Sequence, residues 1–400
     1  MLAVLGFLAL FIGVLVSVML HEGGHFLTAR KFGMKATQFF VGFGPTLWSR
    51  TKGETEYGVK ALPVGGFVKI VGMTPLEEVA PGDEDRAFFK QPAPQRALVL
   101  AAGSLVHFCL AIILSYGVVV STGLPNYNKP VIGTVSTCLT AKQNQPCSDP
   151  KAIPAPAAHV LKAGDKILAI DGQPVDTWDA VVKKIRPAAG REVQLLVERD
   201  GKQQQIPITP VRFERPSPDG KTTETVGAIG VTVGRVVDHY GPVAAVGQTK
   251  DVLGLMLQGT YDTIAHKLGS VTKLYSKDRD PTGIVGVVGA GPVSGDILSA
   301  QGEPMSLRIA NIVFMLAGLN LFVGIFNLLP LLPLDGGHIA ILGFEQARDR
   351  AKRLFGYRGP LQRVDLTKLM PITYAVVFLF AGVTLLLLGA DIVNPIRLTQ

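Results

Sequence analysis

The residues with the clearest chemical potential in this 400-residue chain are His21, Glu22 and His25, which stand in the order His-Glu-Gly-Gly-His. On a helix, positions four residues apart share a face, so both imidazoles can reach one metal ion while the carboxylate beside them accepts a proton. The pattern predicts a metal site that activates water, with His21 and His25 as ligands and Glu22 as the catalytic base. The alternative is a polar helix end at a membrane interface.

Two histidines leave such a site one ligand short, because a catalytic zinc usually takes three protein ligands and a water. Asp335 is the candidate for the third ligand. It closes an apolar stretch that reads Asn-Leu-Leu-Pro-Leu-Leu-Pro-Leu-Asp-Gly-Gly from Asn327 onward. The prolines predict a broken helix, and exposed backbone at membrane depth is tolerated only where it lines a cavity or packs against protein. The alternatives are a turn-forming role for Asp335 and His338 as a rival ligand.

The elements that must position these residues are predicted to be membrane-spanning helices. Hydrophobic residues make up 48% of the chain and charged residues only 18%, which excludes disorder, a fibrous protein and an ordinary soluble enzyme. Four charge-free runs reach the roughly 20 residues needed to cross a bilayer: 1–20, 97–128, 309–334 and 369–390. The net charge of +8 does not gather on one soluble face, so no nucleic acid is expected as a partner.

Lys and Arg residues near the span ends predict the orientation. Basic residues follow the first span, precede the second, and stand between the third and fourth at Arg348, Arg350, Lys352, Arg353, Arg358, Arg363 and Lys368. Both termini and the long middle segment are therefore predicted to be extracytoplasmic. Cys138 and Cys147 fall on that oxidising side and are expected to form a disulfide, with two free thiols as the alternative.

The middle of the chain predicts one soluble domain. Strand-like runs at 166–170, 193–199 and 204–208 surround a helical run at 178–185, which indicates a small α+β unit. The run from Gly164 to Gly172 resembles the core motif of bacterial PDZ domains. In that resemblance, the loop that holds a peptide end corresponds to Gly227, Ile229, Gly230 and Val231. The alternative role for the domain is a size filter over the membrane part.

Two further segments have no chemistry of their own. Between the first two spans, aromatic and β-branched residues alternate with Gly and Pro, which predicts short strands and turns. These strands either lie at the membrane interface or form a small cytoplasmic hairpin. After the soluble domain, apolar residues at helical spacing predict an amphipathic helix, followed by a flexible Gly-rich link at 283–295.

Together, the His-Glu-x-x-His and Leu-Asp-Gly motifs around a PDZ-like domain resemble the site-2 protease family of zinc intramembrane proteases. The resemblance is nearest to the RseP-like branch and its actinobacterial members, which cleave membrane-bound anti-sigma factors. Residues 41–45 and 64–68 match that family's membrane-associated β region. The chain departs from the family in having His107 where an Asn is usual. His107 is interpreted as a hydrogen-bonding residue between helices, with a proton relay or an outer-shell metal contact as alternatives.

The resemblance implies one Zn²⁺ per chain and, as substrates, single-span membrane proteins, in particular anti-sigma factors that another protease has already cut. It places the chain in a bacterial cytoplasmic membrane, with the active site near the cytoplasmic side and lipid as a partner. It also implies that Asn327 donates to the substrate backbone or to the developing oxyanion, with the alternative that Asn327 satisfies backbone freed by Pro330. We expect an edge strand to capture the unwound substrate by β-addition, with the substrate-binding residues Gly65, Gly66, Phe67 and Val68.

The predicted fold is a polytopic α-helical membrane protein with four transmembrane helices, a membrane-associated β region on the cytoplasmic side and one extracytoplasmic α+β PDZ domain. The predicted order is helix 1 (1–28), β hairpins and loop (29–95), helix 2 (96–121), PDZ domain (122–235), amphipathic helix and link (236–306), helix 3 (307–336), cytoplasmic loop (337–368), helix 4 (369–390) and tail (391–400). Three other functions fit the sequence less well: an intramembrane metal carrier, a non-catalytic PDZ scaffold, and a membrane-anchored protease that acts on soluble substrates.

Overall fold

The computed structural model describes residues 2–73, 79–140, 146–149, 152–216, 223–266, 274–275, 287–300, 303–359 and 363–394. The chain divides into two compact units. One unit, called here the membrane unit, contains Met1–Thr122 and Gly241–Gln400. The other, called here the inserted domain, is Gly123–Tyr240.

Four described helices of the membrane unit are long and apolar enough to cross a membrane. They are α1 (Leu2–Lys31), α2 (Ala93–Thr122), α6 (Met305–Asn327) and α8 (Met370–Val393). This agrees with the four predicted spans, although α2 and α6 begin before their predicted starts and α1 and α8 end after their predicted ends. Helix α2 packs against both α1 and α6. Close approach depends on glycine, since a Cβ at Gly24 of α1 would lie 2.8 Å from the Ala102 carbonyl oxygen of α2.

The β region consists of two long bent strands, β1 (Ala36–Lys52) and β2 (Thr55–Ile70), where several short strands were predicted. Residues 38–41 of β1 pair with 66–69 of β2 on one side and with 56–59 on the other. Residues 38–41 of β1 therefore lie between two segments of β2. Gly42 has a φ of 84° and Gly65 a φ of 149°, and these positive values bend the strands where most side chains would be strained. As a result, residues 66–69 form an edge of the sheet.

Three more helices belong to the membrane unit: α4 (Pro242–His266), α5 (Val287–Ser299) and α7 (Asp335–Leu354). Helix α4 lies where the amphipathic helix was predicted, and the predicted apolar positions 268 and 271 lie outside the described residues. The predicted tail 391–400 is also divided, because its first residues belong to α8 and 395–400 are outside the described part.

The Gly-rich link was wrongly predicted as flexible, because its described part belongs to α5. Its small residues allow that helix to pack on α1. A Cβ at Gly291 would lie 2.5 Å from Cδ2 of Phe7, and a Cβ at Gly6 would lie 2.6 Å from the carbonyl oxygen of Ser294. Glycine composition therefore reflects close helix packing here rather than chain freedom.

The predicted cytoplasmic loop at 337–368 was also wrong in part, because α7 occupies its first half. Helix α6 ends at Asn327, before the predicted end of the third span, and a short turn segment leads to α7. Gly336 and Gly337 begin the new helix instead of ending the old one. A Cβ at Gly337 would meet the Leu331 carbonyl carbon at 2.7 Å, so only glycine permits this tight reversal.

The inserted domain is an α+β fold around one apolar core. Its strands are β3 (Leu124–Asn126), β4 (Ile132–Val135), β5 (Cys138–Leu139), β6 (Ile153–Pro154), β7 (Lys166–Ile170), β8 (Gln173–Pro174), β9 (Val193–Arg199), β10 (Lys202–Ile208), β11 (Val211–Pro216), β12 (Thr223–Ala228), β13 (Val231–Val233) and β14 (Val236–Asp238). The largest sheet has the order β10-β9-β7-β8. Helix α3 (Trp178–Ile185) begins after Thr177, whose Oγ1 accepts from the Ala180 amide at 3.2 Å.

Strands β7 and β9 and helix α3 have the bounds that the sequence predicted. The turn between β7 and β8 uses Asp171 with a φ of 51° and Gly172 with a φ of 74°, values that an Asp-Gly pair adopts readily. Strand β10 begins earlier than predicted, at Lys202. Its first side chains are polar and exposed because it is an edge strand, so they carry no apolar signal.

Candidate metal centre

His21 and His25 face the same side of α1 and are both buried, with 7% and 4% of their surface exposed. Their Nε2 atoms lie 3.1 Å apart, and the two rings stand nearly perpendicular at 83°. The one-turn spacing of the sequence motif therefore brings two imidazole nitrogens to one point inside the membrane unit.

Asp335 joins them as the first residue of α7. Its Oδ2 lies 3.4 Å from Nε2 of His21 and 3.4 Å from Nε2 of His25. The three donor atoms thus form a triangle with sides of 3.1, 3.4 and 3.4 Å. Zinc bonds of 2.0–2.1 Å in tetrahedral geometry require donors about 3.4 Å apart. The donor set and its dimensions therefore fit a zinc ion.

The hydrogen bonding of these groups also fits a cation. Nδ1 of His25 lies 2.7 Å from the Val99 carbonyl oxygen, which can only accept, so Nδ1 carries the hydrogen and donates to it. This leaves Nε2 of His25 as a lone pair directed at the triangle. Oδ2 of Asp335 is buried and has no hydrogen-bond partner among the described residues. Such grouping of buried acceptors is unfavourable unless a positive charge lies between them.

Helix α2 contributes a glycine to the site that sequence reasoning did not single out. A Cβ at Gly103 would lie 2.5 Å from Nε2 of His25 and 2.6 Å from Nδ1 of His21. Any larger residue would displace both imidazoles. The glycine of the Ala-Gly-Ser run was a visible signal, but only the packing of α2 on α1 reveals what it accommodates.

Glu22 lies between the two histidines in the chain and is bonded to the β region. Its Oε2 accepts a hydrogen bond from the backbone amide of Val68 at 3.1 Å. Of the predicted substrate-binding residues, Gly66 and Val68 thus lie against α1. A Cβ at Gly66 would meet Sδ of Met19 at 2.5 Å. Gly65 and Phe67 lie in the same strand, where the Phe67 ring stacks on Phe40 with centroids 5.6 Å apart.

A buried polar group connects three spans close to the triangle. Nδ1 of His107 on α2 lies 2.8 Å from Oδ1 of Asn320 on α6, and Nδ2 of Asn320 donates to Oγ of Ser17 on α1 at 3.1 Å. The His107 and His21 ring centroids are 4.9 Å apart. His107 thus makes a hydrogen bond between helices. Asn320 and Ser17 were missed because isolated polar residues in apolar runs give no spacing pattern.

Two further predicted residues, His338 and Asn327, are not part of the triangle. His338 lines a cavity of about 320 Å³ together with Arg96 and Glu345, and burial lowers the pKa of its imidazole. It does not belong to the three-residue donor set. Asn327 is the last residue of α6 and is half-buried.

In the inserted domain, the predicted peptide loop is built from Gly227, Ile229, Gly230 and Val231. The carbonyl oxygens of Ile229 and Gly230 already accept from the amides of Ala157 and Ser136, both at 2.9 Å. The loop is thus anchored within the domain. Cys138 and Cys147 form a disulfide with their Cα atoms 5.7 Å apart.

Two imidazoles on a membrane-length helix and a carboxylate at the start of α7, with a glutamate beside them, form the donor set of a metallopeptidase. The model of peptidase family M50 matches residues 9–358. The chain therefore belongs to peptidase family M50. This confirms the resemblance found in the sequence and makes the chain a metalloendopeptidase with zinc as its cofactor.

Similar proteins cover the whole chain. The zinc metalloprotease Rip1 of Mycobacterium tuberculosis is 39% identical, with 100% of both chains covered. Rip1 of Mycolicibacterium smegmatis is 37% identical over 99% of both chains. The regulator of sigma E protease of Salmonella typhi is 28% identical over 87% of this chain and 92% of its own.

Proposed function

We propose that this chain is an intramembrane endopeptidase that cleaves the transmembrane segments of single-span membrane proteins, with anti-sigma factors as the substrate class. The observation that carries the proposal is the donor triangle of His21, His25 and Asp335. It is built on α1 and just after α6, both of which are long and apolar enough to cross a membrane. Ionisable groups at such depth are costly and are retained for function.

In this proposal His21, His25 and Asp335 hold the zinc ion, and Gly103 leaves room for the two imidazoles. When bound, zinc lowers the pKa of a water molecule toward about 7 and polarises the scissile carbonyl. Glu22 accepts the proton of that water and passes it to the leaving amine. Asn327, at the end of α6, donates to the substrate backbone.

A transmembrane substrate must unwind before its amides can react, because a helix hides them in its own hydrogen bonds. The edge of β2 at 66–69 supports capture of the unwound segment by β-addition, since it can offer backbone groups in the extended geometry. Gly65 and Gly66 permit close approach of a second backbone. The inserted domain either holds a peptide end or filters substrates by size.

The proposed location is a bacterial cytoplasmic membrane. The Lys and Arg distribution supports extracytoplasmic termini and an extracytoplasmic inserted domain, with the metal centre near the cytoplasmic side. Substrates would then arrive already truncated on the outer side by another protease.

Cleavage of a panel of tagged single-span membrane proteins, truncated on their outer side, tests the proposal in cells. The parent and the Glu22→Gln variant are co-expressed with each substrate, and cleavage is followed by gel and bound zinc by mass spectrometry. Gln is nearly isosteric and keeps an acceptor for the Val68 amide, so it is a matched variant that removes only the base. We expect cleavage by the parent alone, with zinc in both.

Two outcomes contradict this function. Equal cleavage by the parent and Glu22→Gln would exclude Glu22 as the base. Cleavage by neither across the panel, with zinc bound, would favour a metal carrier or a scaffold.

A further inference from the structure

The edge of β2 next to α1 has a defined hydrogen-bonding pattern. Residues 66–69 pair with 38–41 on one side only, with Val68 opposite Phe39 and Gly66 opposite Val41. In an antiparallel pair, successive residues direct their amides alternately toward the partner strand and away from it. One set of amides therefore faces β1 and the other faces the edge next to α1, where Gly66 is buried.

The hydrogen bond between Val68 and Glu22 shows which amides face β1 and which face away from it. Because the Val68 amide donates to Oε2 of Glu22 at 3.1 Å, it points away from β1. The amide of Gly66 then points to the same edge, whereas those of Phe67 and Lys69 point to β1. The amide of Gly66 therefore belongs to the edge that would pair with an extended substrate. At Val68, the amide on that same edge is bonded to the catalytic base, Glu22.

We propose that the backbone amide of Val68 is a positioning group that fixes the Glu22 carboxylate on the substrate-binding edge. This inference rests on the proposed function of Glu22 as base. With Val68 bound to Glu22, a substrate segment pairs at Gly66, two residues away along the strand. Consecutive residues of a strand are about 3.4 Å apart, so the docked backbone and the base are held at a fixed spacing of about 7 Å along the edge.

The physical reason for such a tie is the freedom of the glutamate side chain. Its rotatable bonds allow the carboxylate to move away from the reacting water. The hydrogen bond from the Val68 amide to Oε2 restricts that freedom, while Oε1 remains available for the proton. The anchor is part of the strand that holds the substrate. Docking and base placement therefore depend on one rigid element rather than on two independent ones.

Proline at position 68 tests the positioning role, because it removes the amide hydrogen from an edge position outside the β1–β2 ladder. Val68→Ala is the matched control, since it shortens the side chain and keeps the amide. In purified full-length protein loaded with zinc, we expect Val68→Pro to lower kcat by about 10- to 100-fold. The KM and the zinc content of Val68→Pro should stay close to those of Val68→Ala, which keeps the amide and is the reference against which the loss of kcat is measured.

Two kinetic results would overturn the proposal. One is a rise in KM with kcat unchanged, which would make Val68 a substrate contact only. The other is an equal loss of kcat in Val68→Pro and Val68→Ala, which would assign the effect to side-chain packing.

Hydrogen exchange tests the contact without relying on activity or on a proline variant. In zinc-loaded full-length protein, we expect the Val68 amide to exchange at least about 10-fold faster in Glu22→Ala than in the parent. Glu22→Gln keeps an acceptor and should protect Val68 as the parent does. The amides of Phe67 and Lys69, which face β1, should not change in either variant.

Unchanged Val68 exchange in Glu22→Ala would overturn the positioning role even if the enzyme is a protease. Conversely, the parent could cleave no membrane substrate while exchange of the Val68 amide still accelerates in Glu22→Ala. The proposed function would then fail, and the hydrogen bond between Val68 and Glu22 would stand.

Discussion

Asp165 of the inserted domain and Asp335 of the membrane unit are both carboxylates in protein interiors, yet their surroundings are opposite. Arg199 donates to Asp165 from Nε at 2.7 Å and from Nη2 at 2.6 Å, and the Lys162 amide adds a third bond at 2.8 Å. Asp335 instead presents a buried oxygen to two imidazole nitrogens and, among the described residues, has no hydrogen-bond partner for it.

The difference shows how a buried charge that maintains a fold can be distinguished from one that binds a ligand. A carboxylate whose acceptors are filled by its own protein has no capacity left and stabilises the structure. A carboxylate that faces other acceptors destabilises the empty site and requires a cation from outside. By this criterion the chemistry belongs to the membrane unit, and the inserted domain has a supporting role.

The largest expected effect comes from filling the space beside the two imidazoles. Gly103→Ala places a Cβ 2.5 Å from Nε2 of His25, so the ligands must move apart. We expect zinc affinity and peptidase activity to fall by on the order of 100-fold. Gly117→Ala is the control on the same helix, because a Cβ there meets no atom within 4 Å. Zinc titration of both variants measures the effect, and parent-like affinity in Gly103→Ala would contradict the site.

Removing the paired carboxylate should affect stability and leave the chemistry intact. Asp165→Ala leaves the partly buried Arg199 guanidinium without its partner, which costs about 3 kcal/mol of unfolding free energy. Zinc content should not change. Protease susceptibility of the inserted domain in the full-length chain measures the loss, with the exposed Glu192→Gln as control. If Asp165→Ala removed zinc without loosening the domain, the contrast between the two aspartates would be wrong.

The same pair predicts a pH dependence for the inserted domain. Burial alone would raise the pKa of Asp165, but the bonds from Arg199 and the Lys162 amide outweigh it and hold the pKa below its ordinary value of 3.8. A lowered folded-state pKa means that the stabilisation is complete above about pH 4 and is lost as the pH falls through the folded value. Relative to the intrinsic exchange rate at each pH, the protection of the β7 and β9 amides should therefore fall below pH 4 more in the parent than in Asp165→Ala. An equal fall in protection in both would contradict this prediction.

The disulfide should contribute somewhat less. Closing the short loop between Cys138 and Cys147 stabilises the domain by about 2.5 kcal/mol through the entropy of the unfolded chain. Alkylation without reductant should label Cys109 and spare this pair. If both were labelled in the native protein, there would be no disulfide.

The smallest effect is expected for the polar group between the spans. His107→Leu leaves Oδ1 of Asn320 without its donor and should cost about 1 kcal/mol. His107→Asn keeps a polar partner and should lie within a few tenths of the parent. Thermal unfolding in detergent measures both variants. Equal losses would show that ring packing beside His21, rather than the hydrogen bond, is what matters.

The sequence predicted the parts of the site that follow from fixed spacing. His21 and His25 are four residues apart on one helix, and β7 and α3 lie within a strongly patterned segment, so local periodicity was sufficient. The third ligand required a further rule, that a lone intramembrane carboxylate needs a partner.

What could not be predicted depends on contacts between distant elements. Gly103 resembles any helix glycine until α2 is placed against α1. The Gly-rich run that forms α5 has the composition of a flexible link, and only its packing against Phe7 explains the glycines. The hydrogen bond from Val68 to Glu22 depends on how the bent strand β2 lies against α1, and no local pattern shows that placement.

The most direct test of the account is the identity of the third zinc ligand. Zinc per chain is measured by mass spectrometry in the purified parent, in Asp335→Ala and in His338→Ala, and X-ray absorption gives the ligand types in the parent. We expect one zinc per chain in the parent, held by two imidazoles and a carboxylate. His338→Ala should retain that zinc and Asp335→Ala should lose it. Retention of zinc in Asp335→Ala at the parent's affinity would contradict the account.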